Sequence, residues 1–134
     1  MEAITVEGGK GTVELGADGI IHLVWKASVN IEAVDAHAAM AVVNMVGNGL
    51  EYPMLVDMAT TESVHRHARA VFSIPCAASR IALLGTSPVD RVLANFFLGV
   101  HIPPCPTRFF TSRNDAMFWL IWSMAMRSRL PGRS

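Results

Sequence analysis

Arg80-Ile81-Ala82-Leu83-Leu84-Gly85-Thr86-Ser87-Pro88-Val89-Asp90 and Arg108-Phe109-Phe110-Thr111-Ser112-Arg113-Asn114-Asp115 are written to one plan. In each, a short apolar run with strand character meets Thr-Ser-x-x-Asp. The serine can accept from the third helical N–H while the aspartate three residues on reaches back, an acidic form of the capping box, and Pro88 suits a first helical position. Both stretches therefore mark a strand turning into a helix, and both follow a Pro-Cys pair, Pro75-Cys76 and Pro104-Cys105. Strands that alternate with helices imply a largely parallel sheet.

Working outward, residues 12–15 and 20–25 are rich in β-formers and are separated by Gly16-Ala17-Asp18-Gly19, whose Asp-Gly pair predicts a β-hairpin. Asn30 then offers an N-cap, Glu32 and Asp35 put negative charge on a first helical turn, and Gly47 and Gly49 stop the pattern. Ile31, Val34, Ala38, Val42 and Met45 fall on one face of that helix. Residues 52–58 predict a strand buried on both sides, broken in its apolarity by Asp57. A Thr/Ser loop leads to a second helix with Val64, Ala68, Val71 and Phe72 on one side, ended by Pro75. The helix after Ser87 lines up Val89, Val92, Leu93 and Phe96. The expected order is β-β-α-β-α-β-α-β-α: an N-terminal hairpin followed by βα units, with a mostly parallel five-stranded sheet and four helices.

The 134 residues have 51% in the hydrophobic set and 16% charged, with 11 basic residues against 11 acidic. A chain so apolar and so balanced buries enough surface to fold, which excludes disorder. No linker or charge block divides it, so one domain is expected over residues 1–134, with its core about 12–127. A net charge of zero supplies no field for a phosphate backbone, so nucleic acid is not an expected partner. No basic-then-apolar leader opens the chain and no apolar run approaches the length of a bilayer span, so a cytoplasmic protein without a transmembrane segment is expected. Cys76 and Cys105 are expected to stay reduced, as cytosolic thiols do; both precede neighbouring strands, and the register decides whether a bridge could reach.

The order of elements, the segment Ser79-Arg80-Ile81-Ala82-Leu83-Leu84-Gly85, and Thr107-Arg108-Phe109-Phe110 followed by Asp115-Ala116-Met117-Phe118-Trp119-Leu120 resemble the SpoIIAA-like (STAS-like) domains of bacteria, over about residues 20–120. The resemblance implies an α/β fold in which sequential strands are neighbours. It also implies a non-enzymatic regulatory module that binds a protein partner of kinase or anti-sigma type and is switched by phosphorylation of a serine in the loop before a helix. The family's acceptor lies in an Asp-Ser-Ser-Gly-like motif. This chain has Asp57-Met58-Ala59-Thr60-Thr61-Glu62-Ser63 there, with hydroxyls but a different order. A related branch resembles lipid-binding CRAL-TRIO domains, which makes an apolar-ligand or lipid carrier the alternative.

Open α/β sheets place ligands outside the carboxyl ends of their strands. The candidate binding or switch surface is therefore Asp57, Thr60, Thr61 and Ser63, with Arg66 and Arg69 as charge partners, and with Thr86, Ser87, Thr111 and Ser112 as anion contacts at helix starts. The plainer interpretation makes these hydroxyls ordinary caps and the arginines a solvated face. His65 and His67 stand two apart, and one helix face needs a spacing of four for a metal pair, so neither metal nor cofactor is expected. No paired carboxylates, Ser-His-Asp arrangement or glycine-rich phosphate loop marks an enzyme. The last helix is apolar on every side, so Phe118, Trp119, Trp122 and Met126 are expected either to meet a partner, most simply a second copy in a homodimer, or to be covered by the hairpin or the tail 127–134.

Overall fold

The computed structural model describes residues 2–59, 63–64, 76–85 and 105–129. Its main sheet has six strands in the order β1 (Ile4–Thr5), β2 (Gly11–Leu15), β3 (Ile21–Trp25), β5 (Tyr52–Ala59), β7 (Ala78–Gly85) and β8 (Thr107–Phe110). A separate parallel ribbon pairs β4 (Asn30–Ile31) with β6 (Ser63–Val64). Two helices are described, α1 (Ala33–Gly47) and α2 (Arg113–Arg129).

The predicted hairpin is present, and Asp18 shapes its turn. Its Oδ1 accepts from the Ile20 N–H at 2.9 Å, while Gly19, at φ 78°, supplies a left-handed step that side chains avoid. β2 and β3 run antiparallel, and β3, β5, β7 and β8 are parallel throughout. Sequential strands of the sheet are neighbours, as the resemblance implied.

Alternation along β5 makes two cores. Val13, Leu23, Val56, Leu83 and Phe109 form a row across five strands. On that face α1 packs Ala36, Ala39, Val43 and Val46 over Val13, Leu23, Trp25, Met54 and Ile81. On the other face Leu55, Ala82 and Leu84 meet Ala116 and Leu120 of α2. A strand buried on both sides reads as a continuous apolar run, as residues 53–56 do.

Four expectations are corrected. The sheet has six strands, because Ile4–Thr5 adds an edge that only two residues long leaves no periodic trace. Asn30 is not the N-cap of α1: it belongs to β4, and the cap is Glu32, whose N–H donates to Asp35 Oδ2 at 2.9 Å. The inward face of α1 is also rotated, leaving Val34 69% and Met45 59% exposed. The sheet already carries bulk in Trp25, Leu23 and Met54, so the helix approaches with small side chains; at its end a Cβ on Gly47 would stand 2.5 Å from that of Ala77. Ile31 and Val64 lie in the β4–β6 ribbon, not on helix faces. The rest of the expected second helix and the whole of the helix expected after Ser87 fall outside the described residues.

A half-buried ion pair joins the turn before β2 to the first turn of α1, and the same lysine reaches the ribbon. Lys10 Nζ donates to Asp35 Oδ2 and to the Asn30 carbonyl, each at 2.8 Å. Burial pushes the Asp35 carboxyl upward, but the Lys10 hydrogen bond, the Glu32 N–H and the Lys10 charge outweigh it and leave the group below its ordinary value. A depressed folded-state pKa contributes stability that is complete above the unfolded value and is lost as pH falls toward the folded one. Asp35→Asn should therefore flatten the fall in urea midpoint below about pH 5 relative to the wild type. Lys10→Met, at neutral pH, should cost about 2 kcal/mol, less than for a fully enclosed pair because Lys10 keeps 31% side-chain exposure.

Candidate functional site

Four parallel strands run to one carboxyl rim, and Asp57 lies on the α2 side of the sheet. Val24, Asp57, Leu84 and Phe110 are register partners across β3, β5, β7 and β8, so Asp57 and the Thr111-Ser112 turn stand at the same edge. Directly beyond Asp57 the register slips, with Asp57 opposite Leu84 and Ala59 opposite Gly85, which leaves Met58 as an extra residue on β5. Such bulges end regular pairing and re-aim the side chains next to them.

Arg113, the first helical residue of α2, closes the rim. Its Nη2 donates to Asp57 Oδ2 at 2.7 Å, with side-chain exposures of 52% and 20%. A cation at a helix N-terminus opposes the helix dipole, and the Asp57 carboxylate offsets that conflict. Ser112 caps the same helix, accepting from the Asp115 N–H at 3.2 Å, as the Thr-Ser-x-x-Asp pattern predicts. Thr111 is exposed beside it.

The far end of the 57–63 loop is held by the ribbon. Ser63 is the register partner of Asn30, whose carbonyl receives Lys10. The loop is thus tied at Asp57 to the sheet and α2, and at Ser63 to the strand whose Asn30 carbonyl accepts from Lys10. Thr60, Thr61, Arg66, Arg69, Thr86 and Ser87 lie outside the described residues, so the rim brings together Asp57, Thr111 and Ser112 of the expected set. Arg113 was not among the expected site residues. The signal was its position: an arginine one residue after a serine cap needs a carboxylate neighbour.

On α2, Phe118 is 70% and Trp122 51% exposed. Trp119 turns inward instead, 5.6 Å from Phe110 and with Arg80 at 4.3 Å over its ring. The side chain of Met126 lies outside the described residues. Cys76 and Cys105 are free and half-buried. Burial pushes the Cys76 thiol up, and burial with the neighbouring Cys76 charge pushes Cys105 up to about 11, so neither is an activated nucleophile. Among the described residues, no three His, Cys, Asp or Glu side chains are grouped to hold a metal ion, and no helix is long and apolar enough to cross a membrane.

Comparison with known proteins adds kinship. Residues 14–122 match a family described as a domain of unknown function, DUF7793. A crystal structure of a protein of unknown function from Arthrobacter sp. FB24 is 61% identical, over 81% of this chain and 96% of that one, with a TM-score of 0.35. A DUF3478-family protein from Shewanella loihica PV-4, described as having a SpoIIAA-like fold, is 22% identical over 82% of this chain and 91% of that one, with a TM-score of 0.53. That last likeness shows the SpoIIAA-like fold. No match to a curated protein is found.

The exposure of the Asp57–Arg113 pair sets its energetic size. A double-mutant cycle with Asp57→Asn and Arg113→Gln should give a coupling of about 1 kcal/mol or less in urea unfolding, shrinking with added salt. A larger, salt-insensitive coupling would mean that the pair serves stability and not the surface.

Proposed function

This chain belongs to the DUF7793 family, and we propose that it is a non-enzymatic regulatory module that binds a protein partner through the carboxyl rim and is switched by phosphorylation in the 57–63 loop. The observation that carries this reading is the Asp57–Arg113 pair at one end of that loop. Its guanidinium is half-exposed and, among the described residues, is held by the Asp57 carboxylate, so a new anion nearby has a ready cation to compete for.

Thr60, Thr61 and Ser63 are the candidate acceptors. A phosphoryl group adds close to two negative charges and three strong acceptor oxygens. Placed between Asp57 and the ribbon, it would draw Arg113 from Asp57, with Arg66 and Arg69 as further charge partners, and so change the shape and sign of the rim. Thr111 and Ser112 border the same surface. A partner of kinase or anti-sigma type would read the loop in either state, and the Lys10 hold on Asn30 keeps its far end in place while the charge changes.

The alternative, an apolar-ligand or lipid carrier lined by Trp25, the methionines and the aromatic last helix, draws less support, since Trp25 at 2% exposure and Met54 are packed in the core under α1.

Incubation of the full chain with ATP and a lysate of its native host, followed by phosphosite mapping, should place phosphate on Thr60, Thr61 or Ser63. Phosphorylation confined to positions outside residues 57–69, or none at all, would overturn the switch.

A further inference from the structure

At the opposite end of β7 and β8, on the face that carries α2, two guanidiniums converge on one indole. Arg80 Cζ lies 4.3 Å from the Trp119 ring centroid and Arg108 Cζ 5.8 Å from it. Arg108 is also 5.4 Å from the Phe110 ring. Register explains the meeting: Arg80 and Ala82 share a strand face, and Ala82 is the direct partner of Arg108.

Neither arginine is neutralised by a carboxylate among the described residues. The described ion pairs join Lys10 to Asp35, His22 to Asp18 and Arg113 to Asp57. Of the 11 acidic residues, only Glu62 and Asp90 lie outside the description. Glu51 shares the amino edge with Arg80, both acting electrostatically on Cys105, without forming an ion pair with it. Two like charges side by side repel, and a bound anion relieves that repulsion. Stacking also occupies the flat face of a guanidinium and leaves its in-plane N–H groups for bidentate contact with carboxylate.

The helix that carries Trp119 also presents Phe118, Ile121 and Trp122 at 70%, 48% and 51% exposure. Arginine and tryptophan around an apolar step are the side chains that dominate protein interfaces. We propose that Arg80, Arg108 and Trp119, with Phe118 and Trp122 next to them, form a docking surface for an acidic segment of a protein partner, one whose carboxylates sit among apolar side chains. An anionic bilayer is a poorer fit: such surfaces attract clusters of about four or more basic residues, and here two arginines stand on a chain of zero net charge. The surface lies four residues along β7 from the Asp57 row, about 13 Å away, and does not depend on the switch proposed for the rim.

The test uses the full chain and a fluorescein-labelled peptide repeating Glu-Glu-Leu-Phe, with a Gln-Gln-Leu-Phe control, read by fluorescence anisotropy. The acidic peptide should bind with an affinity that falls as salt rises, and the control should not. Arg80→Gln and Arg108→Gln should each weaken binding about tenfold, and Phe118→Ser should weaken it too, all three keeping the wild-type circular dichroism spectrum. Arg113→Gln, at the other rim, should leave binding unchanged. Equal binding of both peptides, or binding indifferent to Arg80 and Arg108, would overturn the proposal. So would binding to phosphatidylglycerol vesicles without peptide binding, or self-association lost on Phe118→Ser and unaffected by peptide.

Discussion

Everything in the sheet depends on β5 being enclosed from both sides. Met54 and Val56 point into the layer under α1, Leu55 points into the layer under α2, and all three are at most 8% exposed. Because side chains alternate, a slip of one residue would exchange the two sets and set Asp57 under the wrong layer. Burial of each large side chain is worth about 1.5–3 kcal/mol, so the register is costly to change. The parallel pairing of β3, β7 and β8 follows that register, and with it the row that ends in Asp57 and Phe110.

At the carboxyl rim the regular structure gives way in an ordered manner. The extra residue at Met58 ends pairing just beyond Asp57. Arg113 stands on a helix end that disfavours it and is held by Asp57. Ser63 returns beside Asn30, and Lys10 ties that segment to Asp35. The two ends of residues 57–63 are thus held differently, Asp57 by an ion pair and Ser63 by backbone pairing. The amino-terminal end of the same face is built on a different principle, with Arg80 and Arg108 held by rings in place of carboxylates. One sheet face thus carries two surfaces of distinct chemistry, separated by the length of β7.

Much of this was legible in the residues. Asp18-Gly19 announced the hairpin, the apolar run over 52–58 announced a doubly covered strand, and Thr-Ser-x-x-Asp announced the serine cap of α2, because each is a local rule carried by neighbouring residues. The inward face of α1 was not, since Val34 and Met45 are more apolar than Ala36 and Ala39, and the choice rests on the space left by Trp25 and Met54 across the sheet. β1, β4 and β6 escaped because two-residue strands have no period to detect. Arg113 and Arg80 escaped because their partners, Asp57 and Trp119, are distant in sequence and are brought to them only by the parallel register.

Native-state hydrogen exchange of the full chain tests the role of β5 most directly. Amides of residues 54–56 and 81–83 should exchange slowest, with a free energy equal to that of global unfolding, while the β2–β3 hairpin and the ends of α2 open at lower cost. Slowest exchange in the hairpin or in α2, with residues 54–56 opening locally, would contradict the account.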